Sequence, residues 1–149
     1  MILLTHLLFG AAISSKIGFF WLAVIMAFLS HYLLDLLPHN EYPIGNILNN
    51  QWRKSFPDFL KVIADFCLGI FLIFLLSDNS IKTYTCAIVT IIPDGLTFLE
   101  FFWHNKFLKK HNQFHREEIH ILKKKKIPLF WRFLTQIIII ILSILLLKS

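Results

Sequence analysis

The sequence predicts an all-α integral membrane protein: a single domain over residues 1–149, built as a helical bundle of four transmembrane spans and a short N-terminal helix. Three observations predict it. Hydrophobic residues make up 56% of the chain and charged residues 16%, against about a quarter charged in an ordinary soluble domain. Mean hydropathy is +0.65. The 16 phenylalanines add apolar surface that a water-soluble fold, burying only about two thirds of its surface at this size, would leave wet.

The elements follow in order. Residues 2–14, ILLTHLLFGAAIS, are apolar but span only about 20 Å as a helix, short of a hydrocarbon core of about 30 Å. No Lys or Arg precedes them, so they read as a retained short or half-inserted helix rather than a signal peptide. Residues 17–37 form the first span, ended by Pro38, because proline disfavours helix in the residue before it. A polar, turn-rich stretch leads to a span over 58–77, with Asp58 suited to a helix N-terminus. The link Asp78-Asn79-Ser80 is so short that the next span, 81–103, must run antiparallel beside it. Pro93 removes a backbone bond there and should kink the helix near Val89. Pro128 opens a last span over 129–147, whose IIIIILSILLL run is the clearest membrane signal.

Cys67 and Cys86 each sit in an apolar run and read as packing residues. The net charge of +6 is clustered: Lys106, Lys109, Lys110, Arg116 and Lys123 to Lys126 all fall within 104–126. No nucleic-acid motif accompanies them, so no nucleic-acid partner is expected. With Arg53 and Lys54 they mark the cytoplasmic side of a bacterial or archaeal cell membrane; Lys16, Lys82 and Lys148 mark the other side. The four consecutive lysines read as an anchor on the membrane surface, and membrane lipid is the expected partner.

Ionisable groups inside spans are costly and therefore functional candidates. His6, His31, Asp35, Asp65, Asp94 and Gln136 all fall in the cytoplasmic half of their segments, about 3–14 Å from the nearer end. They point to one polar site near the inner face. In His31-Tyr-Leu-Leu-Asp35 an imidazole and a carboxylate share a helix face at i and i+4. Such a pair can hold one metal ion, with His6 and Asp94 available to complete it and His39 able to fold back; the alternative is a hydrogen-bonded pair joining helices. Asp65 is either a general base or the partner of Lys61 on its own helix face. Arg132, at i to Gln136, either snorkels to lipid phosphates or grips an anionic group of a substrate. His111, His115 and His120 lie in the basic loop, where His115 is either solvated or closes over the site as an acid or base.

Three segments, THLLFGAA, SHYLLDLLPH and IIPDGL, resemble the predicted membrane-bound metal-dependent hydrolases of the LexA-regulated inner-membrane type. The match is mainly in the first 40 residues and at Pro93-Asp94. It departs from that family in having Gly95 and Leu96 after Asp94, and Glu117 after His115-Arg116. A more distant likeness, through H-x-x-x-D, is to the all-helical zinc phospholipase C and nuclease group. The resemblance implies that His6, His31, Asp35 and Asp94 hold a divalent metal, zinc above all. The residues themselves add metal-assisted hydrolysis, with Asp65 or His115 as general base or acid and Arg132 steadying an anionic group; a pocket at the inner face suits a membrane-borne ester or phosphoester. The alternatives are a small non-enzymatic transporter or a proton- or metal-conducting bundle, and a structural protein whose polar residues pin helices together.

Overall fold

A computed structural model describes residues 1–40, 42, 52–100, 102–103, 105–119 and 127–149, with the side chains at 52, 53 and 116–118 outside that description. The sequence assignments to His120 and Lys123 to Lys126 therefore lie outside the described residues. The described chain is all-helical: α1 (Leu3–Lys16), α2 (Phe20–Asp35), α3 (Trp52–Leu76), α4 (Ile81–Thr90), α5 (Ile92–Leu99), α6 (Lys106–Gln113), a π-helical turn (Phe114–Ile119) and α7 (Leu129–Lys148).

Among the described residues, two helices are long and apolar enough to cross a membrane: Lys54–Leu76 within α3, and α7. The apolar helix α2 has 16 residues and is shorter. The expected single span over 81–103 is divided. Its break falls at Ile91, not near Val89, and Ile91 ends α4 and begins α5. Pro93 sits in the first turn of α5, where its missing N–H leaves no bond unmade. α3 starts before Asp58 and contains Pro57, so Asp58 does not open a helix; it pairs with Lys61 at 3.0 Å.

The shortest apolar segment is the centre of the bundle. α1 packs against α2, α3, α4 and α7, and Leu4, Thr5, His6, Leu7, Leu8, Gly10, Ala11, Ala12 and Ser14 are buried. Small residues make this close packing possible. A Cβ on Gly10 would lie 2.7 Å from the Cys86 carbonyl oxygen of α4 and would also collide with the Thr90 hydroxyl. Accordingly, α3 and α4 each pack on α1, not chiefly on each other as their short link suggests. That link turns at Asn79, whose φ of 54° an asparagine tolerates, and Ser80 caps α4 by accepting from Thr83 N.

The radial pattern inverts that of a soluble protein. On α2 the buried stripe is Ala23, Ala27, Ser30, His31, Leu34 and Asp35, while Trp21, Ile25, Leu29 and Leu33 are exposed. Phe71, Phe74 and Leu75 on α3, and Ile137, Ile138 and Ile141 on α7, likewise face outward. Such continuous apolar surface marks contact with lipid or another apolar partner.

Candidate metal centre

One end of the bundle gathers the polar residues. The first turn of α1 brings His6, the last turns of α2 bring His31 and Asp35, α5 brings Asp94, and the π-helical turn brings His115. His6, His31, Asp35 and His115 are buried, and the Asp94 side chain is 31% exposed. Asp94 therefore marks the open face.

At the centre, three atoms form a triangle. His31 Nε2 and His115 Nε2 are 3.0 Å apart, and each lies 3.1 Å from Asp35 Oδ2. Asp94 Oδ1 is 3.8 Å from His31 Nε2. One donor atom from each of His31, Asp35, Asp94 and His115 lies within 4.8 Å of the others.

One edge of this triangle, His115 Nε2 to Asp35 Oδ2, depends on the His115 tautomer. The Thr97 hydroxyl donates to the Pro93 carbonyl at 3.1 Å, so its oxygen accepts from His115 Nδ1 at 3.2 Å. The neutral ring then carries its proton on Nδ1, and Nε2 offers a lone pair. In that tautomer the lone pair faces Asp35 Oδ2, itself an acceptor, at 3.1 Å. A cation among these atoms turns the repulsion into attraction. Tetrahedral zinc, with bonds of about 2.0–2.1 Å, sets its ligand atoms about 3.3 Å apart; the triangle is close to that size. A ligand imidazole donating its second nitrogen to a fixed acceptor, as His115 does to Thr97, is the usual arrangement around such ions. The donor set thus fits a divalent metal.

Asp35 Oδ1, the other carboxylate oxygen, faces a different group: the Met1 amino nitrogen at 2.7 Å, His6 Nε2 at 3.3 Å and His39 Nε2 at 3.8 Å. The His6 ring stacks on His31 with centroids 4.3 Å apart. His6 joins the cluster as the sequence suggests, but through the opposite oxygen.

The remaining candidates are placed as follows. Asp65 accepts from Leu4 N at 2.9 Å and from the Tyr42 hydroxyl, tying α3 to the first turn of α1. It does not pair with Lys61, because Asp58 holds that ammonium nearer the helix start. Burial pushes the Tyr42 phenol pKa up, and its bond to Asp65 pushes it further. Arg132, in the first turn of α7, is half-buried and makes no hydrogen bond or ion pair among the described residues. One turn on, Gln136 donates to the carbonyl of Asn40 at 3.1 Å, next to His39. His111 Nε2 pairs with the Tyr32 hydroxyl at 3.2 Å beside the centre. Burial and the neighbouring imidazoles of His115 and His31 lower its pKa. Glu100 accepts from Asn112 at 2.8 Å, fastening α6 to the end of α5.

Sequence reasoning missed Thr97 and Tyr42. Thr97 stands four residues after Pro93, a spacing at which a helical threonine hydroxyl can donate back to the carbonyl one turn earlier; nothing around Tyr42 signalled its contact with Asp65. No protein-family model, curated protein or solved structure matches the chain.

Proposed function

We propose that this protein is a membrane-embedded, metal-dependent hydrolase of a membrane-borne ester or phosphoester. In this reading its site lies near the cytoplasmic face of a bacterial or archaeal membrane. The observation that carries it is the buried triangle of His31, Asp35 and His115, with Asp94 beside it, all four donor atoms within 4.8 Å of one another. The apolar exterior supports a lipid environment, with four crossing segments formed by α2, α3, the α4–α5 pair and α7 around α1. The likeness of SHYLLDLLPH and IIPDGL to the predicted membrane-bound hydrolases supports the reaction class.

His31, Asp35, Asp94 and His115 hold the ion. When bound, it supplies Lewis acidity to the scissile bond and to the water that attacks it. The chain's own groups do the rest. Thr97 fixes the His115 tautomer. The apolar helices around α1 exclude bulk water from all of the centre except the face at Asp94. Tyr32 and His111 stand beside that face and offer hydrogen bonds to an entering group. Arg132, lacking a described partner, supplies charge for an anionic head group. Asp65 holds α1 in register and acts through position.

A relay across the membrane needs polar stations at both ends. At the far end Ser14 bonds Thr83, and Thr83 bonds Asp78, at 2.9 and 2.8 Å. That string runs inward only to the Ala11 carbonyl, which Ser14 also meets, so a closed hydrolytic site is favoured over conduction.

Elemental analysis of the detergent-purified protein tests the reading. We expect zinc or manganese bound in whole-number proportion to the chain, and its loss from the His31→Ala centre. A preparation that takes up neither metal, even after incubation with each, removes the hydrolase.

A further inference from the structure

We infer that Asp35 bridges two metal ions, the second held on Oδ1 by His6 and His39. This rests on the reading above but goes beyond its single ion.

The two oxygens of Asp35 serve separate sets of nitrogens. Oδ2 faces His31 and His115, each at 3.1 Å. Oδ1 faces His6 at 3.3 Å and His39 at 3.8 Å. The stacked rings of His6 and His31, 4.3 Å apart with an interplanar angle of 23°, thus aim their Nε2 atoms at opposite oxygens of one carboxylate. Paired metal ions in hydrolytic sites stand about 3.5–4 Å apart, a separation close to that of the two rings.

The His39 tautomer is fixed independently. Its Nδ1 meets the Leu37 carbonyl at 2.7 Å. A carbonyl only accepts, so Nδ1 carries the proton and the neutral ring presents a lone pair at Nε2. That lone pair faces Asp35 Oδ1, another acceptor. This repeats on one oxygen what Thr97 and His115 establish on the other, and it is the donor pattern of a ligand histidine. His6 adds a second mark. It is fully buried, its Nδ1 has no hydrogen-bond partner among the described residues, and its Nε2 faces Asp35 Oδ1 at 3.3 Å. A cation between Nε2 and Oδ1 would be held by both atoms.

Oδ1 has a rival occupant. The Met1 amino nitrogen is 2.7 Å away, and as an ammonium ion it would neutralise this oxygen without a second metal.

Stoichiometry separates the two. Metal-stripped protein in detergent is titrated with zinc and the bound ions are counted per chain, alongside the His6→Gln and His39→Ala proteins. We expect two ions in the natural chain and one in each variant, the remaining ion reporting that the His31 site is still folded. Loading with manganese gives a second readout: a bridged pair shows an exchange-coupled paramagnetic resonance spectrum, which either variant converts to that of isolated ions. One ion in the natural chain, unchanged in both variants, overturns the inference in favour of the Met1 ammonium and leaves the first site standing. No ion in any of the three removes the hydrolase itself.

Discussion

Thr97 is the residue through which the centre is most open to a clean test. Its hydroxyl touches no proposed donor atom facing the ion, yet it fixes which nitrogen of His115 carries the proton. Thr97→Val keeps the shape and removes that control. Loss of such an outer hydrogen bond costs metal affinity about 10–100-fold. We therefore expect zinc binding weakened to that degree with stoichiometry restored at saturating metal, and recovery in Thr97→Ser. Equal affinity in Thr97→Val and the natural chain, measured by competition with a chelator, would show that the hydroxyl sets nothing. Residue by residue, the centre was legible where a local rule applied. His31 and Asp35 share a helix face inside an apolar run, and Asp94 follows a helix-breaking proline. The approach of His115 to Asp35 is not legible in the sequence, because it depends on a π-helical turn in a polar loop with no hydrophobic period to place it. Thr97 and Tyr42 act on partners distant in sequence, His115 and Asp65, and no local pattern announces either contact.

The element that organises the fold is α1, the one whose length argued against it. Hydropathy and length together identify segments able to face lipid, as α3 and α7 do. They say nothing of a helix surrounded by other helices, which needs no lipid-length apolar run. What marks α1 is the run of small residues Gly10, Ala11 and Ala12 after Leu7 and Leu8, a surface that admits neighbouring backbones. Gly10→Ala tests it. The added methyl would lie 2.7 Å from the Cys86 carbonyl oxygen, a backbone atom of α4. Inserting a methyl into such a contact costs about 1–3 kcal/mol, read as a lower unfolding midpoint in detergent. Gly18→Ala is the control: nothing lies within 4 Å of its Cβ, and its midpoint should hold. Parity between the two variants would mean that α1 and α4 do not meet as described. The break at Ile91 shows the same limit of sequence reading. Pro93 announces that the helix must yield, but where it yields depends on the packing of α4 against α1 and α2.

At the level of the whole molecule, charge and polarity agree on a direction. Lys54, Lys106, Lys109 and Lys110 belong to the end that carries His6, Asp35 and Asp94, whereas Lys16, Lys82 and Lys148 belong to the other. The far end is also tied together by Lys16 to the Ser149 hydroxyl at 2.6 Å and by Lys82 to the Ile17 carbonyl at 3.0 Å. On the proposed reading, the positive-inside bias would keep the basic end in the cytoplasm, and the proposed substrate would reach the centre from the inner leaflet. Single cysteines read this directly. In a Cys67→Ala background the buried Cys86 is shielded by α1, and Lys109→Cys and Asn79→Cys place thiols on exposed positions at opposite ends. An impermeant maleimide added to intact cells should label position 79 and spare position 109 until the membrane is opened. The reverse pattern would turn the site toward the outside and change the pool of lipids it can meet. Both positions protected until lysis, or both labelled before it, would mean that the α4–α5 pair does not carry the chain across, and the proposed four-span arrangement would fall.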